Sequence, residues 1–213
     1  MSKIDLVVVS DSRSPELIDM TRHCIDSFHH TTEGVCHVVC VEKNERGYAG
    51  AVVINQTEPF CYNRCLNEGF EHTAADWVCF ANNDVLFLDG WDDCINHGYK
   101  SVSCLNPGWQ FHRDMKGVVE GYRVGYEVCG WCLVVKRSVI NKIGGFPEDV
   151  DFFYSDNLYA DVLRYHGIKH ALISSCMVSH KPSTTLYGSK DFEYFVGTVQ
   201  ENKYKIAREK WLK

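Results

Sequence analysis

The feature that most constrains this chain is an alternation. Short apolar runs at residues 4–9, 35–41, 51–54 and 77–81 are separated by segments whose apolar residues return at helical spacing. Runs of this length without polar alternation belong to strands covered on both faces. After the first run, Ser14-Pro15-Glu16 supplies a capping hydroxyl, a proline suited to the first helical turn and an early acid. Leu17, Met20, Cys24, Ile25 and Phe28 then follow on one face. Residues 60–72 read as a second helix. The order strand, helix, strand, strand, helix, strand predicts an α/β fold with a mostly parallel twisted sheet flanked by helices.

The second half is less regular. Helices are expected over residues 89–97, 138–143 and 156–165, and strands over 101–105, 131–135 and 169–178. Residues 106–128 show no firm period and suggest long loops or a small hairpin. From about residue 191 a charged amphipathic helix is expected, with Phe192, Phe195, Val196 and Val199 on one side. There is no internal repeat or linker, so the 213 residues read as one domain.

Charge and cysteine usage narrow the function. A formal charge of −6 argues against nucleic acid as a partner, because such binders present basic faces. No apolar run is long enough to span a bilayer. Met1 to Asp5 leads straight into the first strand without a charged-then-apolar leader. Eleven cysteines then read as reduced thiols in a cytoplasmic setting, used as small hydrophobes. The pairs Cys36/Cys40, Cys61/Cys65 and Cys129/Cys132 lack the two-knuckle spacing of a structural zinc site.

In open sheets of this kind, ligands lie beyond the carboxyl ends of the strands. Three such ends are polar: Ser10-Asp11-Ser12-Arg13, Glu42 and Asn82-Asn83-Asp84. The last interrupts the apolar stretch FANNDVLFLDGW, a costly insertion unless the residues are used.

With these motifs in place the chain resembles GT-A glycosyltransferases of the family 2 type, including rhamnosyltransferase-like members. Asn82-Asn83-Asp84 stands at the family's DxD position. Residues 136–148, with Gly144-Gly145-Phe146-Pro147-Glu148, are similar to its basic-residue, short-helix, Gly-Gly-Phe segment. Tyr154-Ser155-Asp156 matches the acidic doublet that opens a catalytic helix, and Val178-Ser179-His180 a strand end bearing histidine. Only residues 106–128 fall outside the likeness. More narrowly, it extends to the N-terminal domains of multi-domain viral enzymes of this kind, which implies a longer chain and a host cytoplasm.

The resemblance implies a nucleotide-sugar half over residues 1–100, an acceptor and catalytic half over 101–188, and a C-terminal helix over 189–213. It implies transfer of a hexosyl or deoxyhexosyl unit from a nucleoside-diphosphate sugar, UDP-linked by expectation, to a glycan hydroxyl. Asp84 and His180 would hold Mn2+ or Mg2+, the imidazole favouring manganese. His180 is otherwise a hydrogen-bonded strand-end histidine. Asp156 would be the base, its ionised form favoured by the helix dipole; as an N-cap it would be structural. Ser10, Ser12, Arg13, Glu42, Asn63, Asn67, Asn82 and Asn83 would surround the donor, although Asn63 and Asn67 equally suit an exposed helix face. Gly130 and Trp131 would meet the acceptor, with Trp131 in the core as the alternative.

Two departures keep other readings open. Asn82 and Ser155 replace the first acid of each motif, which admits a non-catalytic nucleotide-sugar or glycan-binding module. A sugar nucleotidyltransferase fits less well, since Ser10-Asp11-Ser12-Arg13 contains no glycine.

Overall fold

A computed structural model describes residues 4–180 and 198–213. Strand β1 (Ile4–Ser10), helix α1 (Pro15–Thr31), β2 (Val38–Glu42), β3 (Ala51–Asn55), α2 (Tyr62–Glu71) and β4 (Trp77–Asn82) open the chain. β5 (Val85–Phe87), β6 (Ser101–Leu105), β7 (Val118–Glu120) and β8 (Cys132–Lys136) follow, then α3 (Arg137–Ile143), α4 (Ser155–Tyr165), β9 (Ala171–His180) and α5 (Thr198–Trp211). The sheet runs β3-β2-β1-β4-β8-β6-β9-β5, with β7 beside β9.

The first four strands are parallel. β8 lies antiparallel to both β4 and β6, so the sheet is mixed beyond its amino-terminal half. Apolar pattern marks a strand but not its direction, which is why the chain's reversal at β8 was not foreseen.

β1 is buried along its whole length because its two faces serve different layers. Leu6 and Val8 pack with Cys24, Ile25 and Phe28 of α1, and Val7 and Val9 with Tyr62, Cys65 and Leu66 of α2. Gly69 makes the second contact possible: a β-carbon there would stand 2.4 Å from Cγ1 of Val7.

Some expected elements shift. The second strand begins at Val38, and Val35 is 70% exposed. Residues 91–96 form a 3-10 helix rather than an α-helix, entered from Gly90 at φ 75°. β5 was not anticipated, three residues being too few to carry a period. Residues 106–128 hold a short 3-10 turn and β7.

The expected apolar face of the last helix falls mostly outside what the structure describes. Phe192, Phe195 and Val196 lie outside the described residues, and Val199 is 48% exposed. α5 docks largely by polar contacts. Asp161 of α4 accepts hydrogen bonds from Tyr204 Oη at 2.6 Å and Arg208 Nε at 2.7 Å. Asp149 accepts from Lys210 and Trp211, and Asp151 from Gln200 and Lys203.

All eleven cysteines are free thiols, and only Cys36 is less than fully buried. Burial raises the pKa of the enclosed thiols, consistent with their use as packing groups. Among the described residues no group of three histidine, cysteine or acidic side chains is arranged to hold a metal.

Candidate active site

The carboxyl ends of β1 and β2 meet in a buried polar knot. Ser10 Oγ lies 2.8 Å from both Ser12 Oγ and Thr21 Oγ1, and Ser12 Oγ also contacts Tyr48 Oη. Glu42 is fully buried and accepts from the Ser12 and Asn44 backbone N–H groups, each at 3.0 Å, and from Tyr48 Oη at 2.8 Å. Burial pushes its pKa up, but these donors outweigh it and hold the carboxyl below its ordinary value. Asn83 joins the knot, its amide donating to Thr21 at 2.9 Å. Four expected donor contacts, Ser10, Ser12, Glu42 and Asn83, thus face one another and fix the loops around the strand ends. Arg13 is exposed, 3.7 Å from Asp11.

The β4 end continues the site. Asn82 Oδ1 accepts from Tyr62 Oη at 2.7 Å. Asp84 follows immediately, and pairing of Val85 with His180 between β5 and β9 brings the two expected metal ligands together. His180 Nε2 lies 3.2 Å from Asp84 Oδ1, with both side chains more than nine-tenths buried. The two approach without the alignment of a hydrogen bond, leaving Asp84 Oδ1 and both imidazole nitrogens without a hydrogen-bond partner among the described residues. Unpartnered buried groups of this kind call for an explanation. A carboxylate oxygen beside an imidazole nitrogen is a donor set that suits a divalent cation. Trp131 lies parallel over the imidazole, ring centres 5.0 Å apart and planes 7° from parallel.

Asp156 is the second residue of α4 and is half-buried. The N-cap is Tyr154, so the N-cap alternative for Asp156 does not hold. The expectation that the helix dipole would favour its charge is also corrected. Burial raises the pKa from 3.8 to about 6, outweighing the Asn157 N–H that Oδ1 accepts at 2.9 Å. Gly130 leaves room for this carboxyl: a β-carbon there would come within 2.9 Å of Asp156 Cβ and Oδ2. Tyr154 adopts φ 68°, the one left-handed non-glycine among the described residues, and its ring stacks on Tyr204 of α5. Such strain collects where a side chain's aim matters.

Asn63 and Asn67 take a different part from the one expected. Asn63 is 1% exposed and donates to Pro147 O, while Asn67 brackets Phe146 by accepting its N–H and donating to its carbonyl. Both clamp the Gly-Gly-Phe-Pro loop onto α2.

Sequence reasoning missed Tyr62. It is 6% exposed, and after burial the charges of Asp84 and Asp156 push its ionisation further up, which places it near both carboxylates. Its only sequence signal was its place at the start of a helix after a strand.

No protein-family profile matches this chain, and no curated protein sequence matches it. Its fold does match solved structures. One is a mannosyltransferase from Pyrobaculum calidifontis, PcManGT, in complex with GDP-Man and Mn2+, with a TM-score of 0.63 over 87% of this chain at 14% identity. The chain spans 59% of that structure's length. The likeness establishes a glycosyltransferase-type α/β fold of the GT-A kind. Likeness of fold does not fix an activity, so function has to rest on the residues at the site.

Proposed function

We propose that this chain is a divalent-metal-dependent glycosyltransferase, moving a hexosyl or deoxyhexosyl unit from a nucleoside-diphosphate sugar to a glycan hydroxyl. The observation that carries the reading is the buried Asp84–His180 pair at the end of β4, whose Oδ1 and imidazole nitrogens have no hydrogen-bond partner among the described residues. Those two side chains would hold Mn2+ or Mg2+. When bound, the cation neutralises charge on the departing diphosphate.

The chain's own groups supply the rest. Tyr62 O–H fixes Asn82 by donating to its carbonyl oxygen, which leaves the amide N–H donors for an oxygen-rich donor substrate. A neutral asparagine in place of an acid lowers the negative charge of the site, so metal and diphosphate bind best together. Asp156, with a pKa near 6, is ionised at neutral pH yet basic enough to take the acceptor hydroxyl's proton. Direct attack with this base would invert the anomeric centre. Gly130 and Trp131, beside Asp156 and His180, stand where the acceptor approaches. Arg13 is assigned to the donor side, with Ser10, Ser12, Glu42 and Asn83 behind it.

Uridine is the base favoured by the sequence resemblance, and guanosine the one bound by the mannosyltransferase of like fold. Membership of the family 2, rhamnosyltransferase-like group, and service as one module of a longer viral enzyme in a host cytoplasm, complete the reading. Calorimetric titration with UDP and GDP, with and without Mn2+, tests it. Mn2+ should tighten one nucleotide about ten-fold or more, and Asp84→Ala should abolish that gain. If Mn2+ strengthens neither nucleotide, the proposal fails.

A further inference from the structure

Beyond Trp131, aromatic rings continue outward from the candidate centre. Trp109 meets Trp131 edge-on at 5.5 Å, Phe111 meets Trp109 at 5.6 Å, and Tyr126 stacks on Phe111 at 4.5 Å. All but Trp131 come from residues 106–128, the segment outside the family likeness. Trp109, Phe111 and Tyr126 belong to none of the buried apolar clusters, and Phe111 is 39% exposed. The row is held in place: Trp109 Nε1–H donates to Gly125 O at 2.7 Å, and each ring braces the next. Partly exposed, mutually braced aromatics that do not complete a core mark a binding surface.

Resting on the proposed transferase reading, we infer that this row is an acceptor track for a neutral oligosaccharide longer than one sugar. Pyranose rings carry apolar C–H faces that lie against aromatic rings, and a continuous row accommodates successive residues of one glycan. Its outer end has a cation, Arg123, 4.5 Å from the Tyr126 ring centre, but buried Glu127 pairs with that guanidinium. The pairing compensates that guanidinium, so it is not free to select uronates or sulfated sugars. At the inner end the Trp131 indole N–H is buried without a hydrogen-bond partner, a donor of the kind that a bound sugar hydroxyl satisfies. The track ends against His180, so a chain lying along it delivers its terminal hydroxyl to the reacting centre.

The test follows transfer with Mn2+ and UDP- or GDP-sugars to cellotetraose, laminaritetraose and mannotetraose, and to the methyl glycosides of glucose and mannose. At least one tetrasaccharide should show a KM about ten-fold or more below that of its monosaccharide glycoside. Phe111→Ala should raise that KM to near the monosaccharide value with little change in kcat, and Phe111→Tyr should restore it. A structural role for Phe111 would move kcat and thermal stability as well. Donor hydrolysis without acceptor is measured alongside, and the absence of both hydrolysis and transfer would sink the transferase reading itself. With hydrolysis present, three results overturn the track: equal use of monosaccharide and tetrasaccharide, acceptance of none of the panel, or an unchanged KM in Phe111→Ala.

Discussion

Asp156 shows why the site is costly to the fold. Its carboxyl titrates near 6 in the folded chain against 3.8 ordinarily, so the folded state holds the proton more tightly. The stability this brings is complete below pH 3.8 and is lost as pH rises through about 6. At pH 7 the buried charge therefore costs about 3 kcal/mol relative to a protonated side chain. Asp156→Asn is expected to unfold at higher denaturant at pH 8 by about 1–3 kcal/mol, with the gain fading toward pH 4. The same variant should lose transfer, while wild-type transfer should climb as pH passes about 6 and then level off. Equal stabilities at pH 8, or a variant that still turns over, would refute the assignment. The sequence offered Asp156 at a helix start but not its raised pKa, because the burial that raises it depends on packing, including Gly130, which is distant in sequence.

At the scale of elements, α5 is the instructive case. Over residues 198–211 its buried residues are Gln200 and Ala207, and Asp161 receives both Tyr204 and Arg208. Charge-assisted contacts of this sort add about 1.5–3 kcal/mol each, less where the partner is exposed, as Arg208 is. Asp161→Ala is expected to destabilise the chain by about 2 kcal/mol and to open residues 198–211 to trypsin. Because Tyr204 also stacks on Tyr154, the strained cap of α4, transfer should fall too, through a looser Asp156. Unaltered tryptic cleavage would show that α5 is held by other contacts. By contrast α1 was legible from sequence because its signals are local: Ser14 accepts from Leu17 N, Pro15 opens the helix, and Cys24, Ile25 and Phe28 are buried. β5 was not, since a three-residue strand is defined only by its partner.

For the whole molecule, the strand-end rule singled out polar residues that the fold gathers at one end of the sheet. Asp84 and His180, far apart in sequence, are brought together by the β5–β9 pairing, which the sequence did not foretell. What the rule could not resolve was which polar residues face a ligand and which face each other. Ser10, Ser12, Glu42 and Asn83 form the internal knot, and Asn63 and Asn67 serve a loop. Composition is the same in both cases; only three-dimensional placement separates them. The aromatic row escaped notice for a related reason, since its members lie in a segment without period and acquire meaning from stacking.

The thiols give the intact fold a chemical clock. Ten cysteines are enclosed and Cys36, beside His29, is the eleventh. Brief iodoacetamide treatment of the native protein should therefore add a single alkyl group, at Cys36, whereas denatured chains should take up eleven. Mass spectrometry would then count opened molecules directly, without a dye or an assay, and early labelling at Cys24 or Cys132 would show that the layers around the β4 end part before the rest.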